Sequence, residues 1–181
     1  SDLKEKLSAP IKIADLKVPE KNIFIPENTN LLALAIAEKP INLLDTDSLE
    51  VWHYPSNEFG TPKSNLFVTI RSPEAMASAD ALNKSELLVA LLKDALNEFS
   101  YPAYLAGLHY ELYNHMRGVT IKISGYSNKQ SVLLDKILTT LKSAEFSTSR
   151  FDIMKERLTR KLQNVKDKKP FQQAIAKTQN I

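Results

Sequence analysis

Three histidines stand out first in this chain, because histidine binds zinc and moves protons near neutral pH. Two of them, His109 and His115, flank Glu111 in a segment whose alternating pattern predicts a strand. A strand rises about 3.3 Å per residue, so the two histidines are expected roughly 20 Å apart, too far to share one metal ion. We therefore expect a polar sheet face here. The third, His53, stands alone on another predicted strand, where packing or surface exposure is expected.

The motifs that place zinc on a helix, His-Glu-x-x-His and the reversed His-x-x-Glu-His, do not occur in the sequence. The sequence has no cysteine, which excludes thiolate zinc sites, disulfides and a cysteine nucleophile. Residues 124–127 lack the Gly-x-Ser-x-Gly arrangement, and the four glycines are too scattered for a phosphate-binding loop. We assign no catalytic, cofactor-binding or metal-binding residue to this chain, and expect no enzyme activity from it alone.

The segment 150–169 is strongly basic, with eight Lys/Arg against three Asp/Glu. A basic helix binds nucleic acid or another polyanion most readily when aromatic side chains stand among its cations, and this face lacks them. Pairs at helical spacing, such as Glu156 with Arg160, are typical of a solvated helix face. The net charge of +3 is also too mild to indicate nucleic acid or a membrane surface. A polyanion-binding module that uses this helix remains the alternative.

The elements that would position these residues change in character along the chain. Six of the nine prolines precede residue 63, so residues 1–40 are expected to form an extended lead-in, with a short strand-like piece at 23–25. Alternating apolar residues predict strands at 49–54 and 66–71, joined as a hairpin, and further strands at 108–112 and 119–123.

Helical spacing predicts a main helix over residues 79–99, which Pro102 kinks or ends. A capping box of Ser127 and Gln130 is expected to begin a second helix, and Ser147 a third. No apolar run approaches the roughly 18–20 residues of a membrane span. The order of the elements predicts an α+β domain over residues 41–181, in which helices pack on one face of an antiparallel sheet.

The runs 91–99 and 101–108 closely resemble the middle domain of the insulinase-like metallopeptidases, the group of pitrilysin and insulin-degrading enzyme. The similarity continues through 118–123 and 125–130, and the segment 22–26 is similar to the family's Asn-x-Phe-Ile-Pro entry segment. Recognisable stretches span most of the chain, and residues 31–66 resemble the family least.

The resemblance implies a non-catalytic middle domain, partial at its end, in a larger zinc endopeptidase built from four related α+β domains. In such enzymes Zn²⁺ sits in the first domain, on a His-x-x-Glu-His motif and a downstream glutamate. The related helix here reads Leu-Leu-Val-Ala-Leu-Leu at 87–92, apolar where ligands would be needed. Its partners would be the other domains of the same polypeptide and the peptide substrate that the full enzyme encloses.

Two other roles stay open beside this one: a structural or assembly subunit on the same fold, and the polyanion-binding module described above. For a bacterial source, the resemblance favours the periplasm over the cytoplasm. On the resemblance, residues 1–40 would arrive from the preceding domain, held down by Ile23, Phe24 and Ile25. In a fragment they would dock on their own domain or stay mobile.

Overall fold

The computed structural model of the chain describes residues 20–31, 37–56, 58–143 and 145–164. Its strands are β1 (Ile41–Asp45), β2 (Glu50–His53), β3 (Lys63–Arg71), β4 (Leu108–His115) and β5 (Gly118–Tyr126). Its helices are α1 (Ala79–Leu105), α2 (Gln130–Ser143) and α3 (Thr148–Gln163), with 3-10 turns at Pro73–Met76 and Ser127–Lys129. The predicted α+β class is confirmed.

The main sheet is antiparallel, in the order β3-β5-β4. Residues two apart share a face of a sheet, so Leu66 and Val68 lie beside Ile123 and Ile121 on the face that helices α1 and α2 cover. The strands predicted at 108–112 and 119–123 are confirmed as β4 and β5, and Leu108, Leu112, Ile121 and Ile123 are all buried in the core.

The predicted hairpin between 49–54 and 66–71 is wrong. Strand β2 pairs with β1, which the sequence analysis missed, and β3 pairs with β5 along its whole length. Thr46 explains the local pairing, since its hydroxyl and amide both bond to the carbonyl of Leu49 and close a tight turn between β1 and β2. Glu50 and Arg71 form an ion pair at 3.4 Å between β2 and β3.

Helix α1 begins at the N-cap Ser78, whose hydroxyl accepts from the amide of Ala81. It continues through Pro102 to Leu105, beyond the predicted end at Phe99. Proline removes the bond to the carbonyl four residues earlier, and that residue, Glu98, is exposed, so water can satisfy its carbonyl. In the described residues, no helix is long and apolar enough to cross a membrane.

The predicted capping box at the start of α2 is also wrong. The hydroxyl of Ser127 donates to the carbonyl of Pro62. The buried amide of Gln130 donates to the carbonyls of Ser64 (2.8 Å) and Gly125 (3.1 Å), and its oxygen accepts from the Ser64 hydroxyl (3.1 Å). Gln130 therefore ties α2 to the sheet. At α3 the predicted cap is confirmed, because the Ser147 hydroxyl accepts from the amide of Arg150.

The lead-in lies partly outside the described residues, which begin at residue 20 and omit 32–36. The piece at 23–25 is a turn and no strand: the amides of Phe24 and Ile25 bond to the side-chain and main-chain oxygens of Asn22. This turn inserts Phe24 into the core, 1% exposed and edge-on to Phe99 with ring centroids 5.2 Å apart. The side chain of Asn22 also donates to the carbonyl of Pro102 at 2.8 Å.

Candidate functional site

The structure separates the three side chains of the His109/Glu111/His115 set. Glu111 forms an ion pair with Lys122 at 3.3 Å, and the His109 ring packs edge-on against Tyr104, with centroids 5.2 Å apart. Among the residues that the structure describes, no three His, Cys, Asp or Glu side chains are grouped so as to hold a metal ion.

His115 belongs to a small hydrogen-bond network on the sheet face away from the helices. The amide of Arg117 donates to its Nδ1 (3.2 Å), which assigns the ring proton to Nε2 when the ring is neutral. Nε2 then donates to Thr120 Oγ1 (2.9 Å), and the hydroxyls of Thr120 and Thr69 form a further hydrogen bond (2.9 Å). The network explains how a threonine is buried on this polar face.

The helix segment that lacks zinc ligands is part of the hydrophobic core. Val89, Leu91, Leu92 and Leu96 of α1 are all buried, and most of them join the cluster formed with β4, β5 and α2. The middle of α1 therefore stabilises the domain through apolar packing.

The basic helix α3 is tied to acidic side chains along its described length. Arg150 donates to both carboxylate oxygens of Asp94, and Lys161 pairs with Glu86, so that α3 is bound to α1 at two levels. The Arg150 guanidinium holds the pKa of Asp94 below its ordinary value, mainly through these hydrogen bonds. Glu156 pairs with Arg160 at 2.6 Å, as the helical spacing predicts. These pairs fit the solvated-face interpretation of α3.

A cleft runs between the C-terminal half of α1 and strand β4, and it consists of two adjoining hollows. We call them the aromatic hollow and the polar hollow, and together the β4 cleft. The aromatic hollow has a volume of about 250 Å³ and is lined by Asn97, Ser100, Tyr101, Tyr104, Leu108, His109 and Tyr110. The polar hollow has a volume of about 440 Å³ and is lined by Lys93, Asn97, Ser100, Tyr110, Glu111, Leu112 and Tyr113.

Tyr110 stands between the two hollows. Burial raises the pKa of its hydroxyl, and a hydrogen bond with Ser100 partly offsets that rise. The phenol is therefore neutral at physiological pH and able to exchange hydrogen bonds with a ligand. Tyr101 and Tyr104 are 62% and 61% exposed, so the aromatic hollow opens to solvent through large, amphipathic rings.

The open edge of β4 borders this cleft, and two hydrogen bonds at the ends of the β3–β5 pairing fix which backbone groups point outward. The amide of Ser72 donates to the carbonyl of Arg117, and the amide of Ser127 to the carbonyl of Pro62. Antiparallel bonding alternates, so the odd-numbered residues of β5 bond β3 and the even-numbered ones bond β4. Their partners on β4 are residues 109, 111, 113 and 115. The amides and carbonyls of residues 108, 110, 112 and 114 therefore point away from the sheet.

Sequence reasoning missed the β4 cleft because it ended the helix at Phe99. With α1 continued, Lys93, Asn97, Tyr101 and Tyr104 follow one another at spacings of three and four residues along one helix face. That spacing was the available signal.

The fold defines the class of protein: a two-layer α+β domain whose sequence has no zinc-binding helix motif. The comparisons with known proteins then define the family. The family described as "Middle or third domain of peptidase_M16" matches residues 1–181. The chain belongs to this family, which confirms the resemblance seen in the sequence.

Insulin-degrading enzyme of Homo sapiens is 38% identical over 161 residues, which are 88% of this chain and 16% of that protein. Insulin-degrading enzyme of Drosophila melanogaster is 39% identical over 163 residues, 89% of this chain and 16% of that protein. A Schizosaccharomyces pombe protein named as a candidate zinc protease is 34% identical over 159 residues, 83% of this chain and 16% of that protein.

The crystal structure of pitrilysin superimposes with a TM-score of 0.81 at 25% identity, covering 89% of this chain and 17% of that one. The chain thus spans about one sixth of the length of the relatives it matches.

Proposed function

We propose that this chain is a non-catalytic domain of a zinc-dependent endopeptidase, in which it helps to enclose the peptide substrate and to hold the other domains together. The observation that carries the proposal is the leucine-rich middle of α1. Val89, Leu91 and Leu92 are buried in the core within the segment 87–92, where the resemblance puts zinc ligands in an active domain.

Physical chemistry supports a structural role for that helix. A buried carboxylate or imidazole without a metal or a partner costs several kcal/mol, whereas buried leucines stabilise the domain. Zn²⁺ would belong to another domain of the parent enzyme, as in the resemblance. The periplasm stays our prediction for the compartment if the source is bacterial.

The test of the parent enzyme is the coding sequence on both sides of this segment. We expect an in-frame His-x-x-Glu-His motif upstream. An open reading frame without that motif would overturn the proposal and favour a structural or assembly subunit on the same fold.

The test of the chain itself is a hydrolysis assay with a quenched fluorescent peptide and added zinc. We expect no zinc-dependent hydrolysis, that is, none that the chelator 1,10-phenanthroline abolishes. A zinc peptidase assayed in parallel is the positive control. Chelator-sensitive cleavage that co-purifies with the chain through two orthogonal columns would contradict the non-catalytic assignment.

A further inference from the structure

We propose that the open edge of β4 binds an extended peptide segment, which adds to the β3-β5-β4 sheet as an antiparallel strand and places alternate side chains in the β4 cleft. The inference rests on the proposed function and deepens it, because it assigns the enclosed peptide a site on this domain.

The backbone of β4 is the first support. Residues 108, 110, 112 and 114 direct their amides and carbonyls away from β5, and within the described part of the chain β4 has no second neighbour. An extended polypeptide presents matching donors and acceptors at the same repeat, which other ligand classes do not.

The edge also lacks most of the features that keep strands from pairing, with Glu111 as its one charged carboxylate. Its sequence, Leu-His-Tyr-Glu-Leu-Tyr-Asn-His, has neither lysine nor proline, and its pairing with β5 runs without a bulge. The opposite edge of the sheet, β3, begins with Lys63 and ends with Arg71. In the part of the chain that the structure describes, the β4 edge combines an unprotected backbone with an adjoining cleft.

The spacing of the hollows matches a strand. Residues 108–110 line the aromatic hollow and residues 110–113 line the polar hollow, so their centres lie two to three residues apart along β4. At about 3.3 Å per residue this is roughly 7–10 Å, a range that includes the distance of about 7 Å between side chains i and i+2 of an added strand.

The direction of the side chains agrees with the direction of the backbone. Leu108, Tyr110 and Leu112 carry both the outward-pointing backbone groups and the side chains on the α1 side of the sheet. In an antiparallel bonded pair the opposed side chains share a face, so peptide residues that bond to these three also point into the cleft.

The chemistry of the two hollows predicts what those residues are. Tyr101, Tyr104 and His109 favour an aromatic or aliphatic side chain in the aromatic hollow. Lys93, Asn97 and the neutral Tyr110 hydroxyl offer hydrogen bonds in the polar hollow. The volumes of about 250 and 440 Å³ lie below and near the lower end of the range for small-molecule sites, about 300–1,000 Å³.

The test uses a fluorescein-labelled seven-residue peptide, Lys-Thr-Gln-Thr-Phe-Thr-Lys, capped at both ends, and measures its anisotropy with the 181-residue chain. In the antiparallel orientation its glutamine lies at the polar hollow and its phenylalanine at the aromatic hollow. Two N-methylated versions are compared with it. Methylating the glutamine and phenylalanine amides removes the donors that face β4 and is expected to weaken binding at least about tenfold. Methylating the three threonine amides, which face away, is expected to change the dissociation constant less than about threefold.

Amide exchange supplies a second readout that does not depend on the ligand chemistry. Bound peptide should slow exchange at residues 108, 110, 112 and 114 and leave residues 109, 111, 113 and 115, already bonded to β5, unchanged. No binding, equal loss with both methylated peptides, or no alternation in exchange would overturn the proposal. Loss with the threonine-methylated peptide alone would overturn the antiparallel register, and a concentration-dependent dimer that blocks peptide binding would assign the edge to a second copy.

A pair of protein variants locates the contact in the cleft. Tyr104→Ala should weaken binding about fivefold or more, whereas Tyr54→Ala, an equally exposed tyrosine outside the cleft, should not. Binding unaffected by Tyr104→Ala would contradict the assignment of the aromatic hollow. Failure of peptide binding in a protein whose gene encodes His-x-x-Glu-His upstream would remove only this inference, while intact binding without that motif would remove only the parent activity.

Discussion

Phe24 is the anchor of the lead-in, and its replacement by alanine tests whether this segment is part of the folded domain. Its ring is 1% exposed and packs edge-on against Phe99. Phe→Ala changes in cores cost about 3–5 kcal/mol. The segment 20–31 can undock and so avoid leaving a cavity, which places the expected loss near the lower figure, about 3 kcal/mol.

In a chain of this size, 1 kcal/mol corresponds to about 2–4 °C in the melting temperature, so Phe24→Ala should lower it by about 6–12 °C. The free energy of unfolding is measured by urea denaturation, and exchange of the Phe24 and Ile25 amides reports undocking, since both are bonded to Asn22. Ile23→Ala is the matched control, because Ile23 adjoins Phe24 but is 56% exposed. It should cost less than about 0.5 kcal/mol.

A loss below about 1 kcal/mol for Phe24→Ala, or one equal to that of Ile23→Ala, would refute the docking argument. A double-mutant cycle with Phe99→Ala adds a direct check on the pair. The two rings are in contact, so a coupling energy above about 0.5 kcal/mol is expected. Strict additivity would show that Phe24 is not packed against Phe99 in solution.

Three further predictions concern the folding stability of the domain. The pKa of Asp94 is depressed below its ordinary value of 3.8, so its stabilisation is present above that value and is lost as the pH falls through the folded-state pKa. Asp94→Asn should therefore be less stable than wild type above about pH 4, with the difference closing on further acidification in urea titrations from pH 2 to 6; a constant difference would contradict this. Gly118→Ala should cost about 3 kcal/mol or more, because φ is +135° and a Cβ would lie 2.0 Å from the carbonyl oxygen of Ile70, whereas Gly60→Ala, with open space around it, should cost about 1 kcal/mol; equal losses would contradict the close approach. Gln130→Leu should cost about 2 kcal/mol by leaving the bonded groups of Ser64 and Gly125 unpaired, while the exposed Gln163→Ala should be nearly neutral by the same denaturation assay.

The sequence predicted the elements that local chemistry determines. Alternation identified β3 and β5, helical spacing identified α1, and the cap at Ser147 gave the start of α3. The pairing of strands could not be read in the same way. Strands β3 and β5 pair although α1 and β4 lie between them in the sequence, and this long-range pairing depends on which strand faces can share one core. The short turn after β1, in contrast, gives β2 a local partner.

Gln130 shows the same limit at a single residue. Its spacing from Ser127 fits a capping box, yet both side chains bond across to the β3 side of the sheet, at Ser64 and Pro62. The β4 cleft was unpredictable for a related reason. It requires Tyr101 and Tyr104 to be helical beyond the predicted end of α1 at Phe99, and it requires β4 to lie at the edge.

On the proposed function, one helix then serves two purposes in its two halves. Its middle is filled with leucines, so that gaining a zinc site there would require burying imidazole and carboxylate groups together with their metal in place of core packing. Its C-terminal turns carry tyrosines, an asparagine and a serine toward an open strand edge, where no buried charge is needed and a peptide can be bound through backbone bonds. A domain of this fold can thus contribute to peptide binding from the exposed end of α1, while the buried part of the same helix stabilises the core.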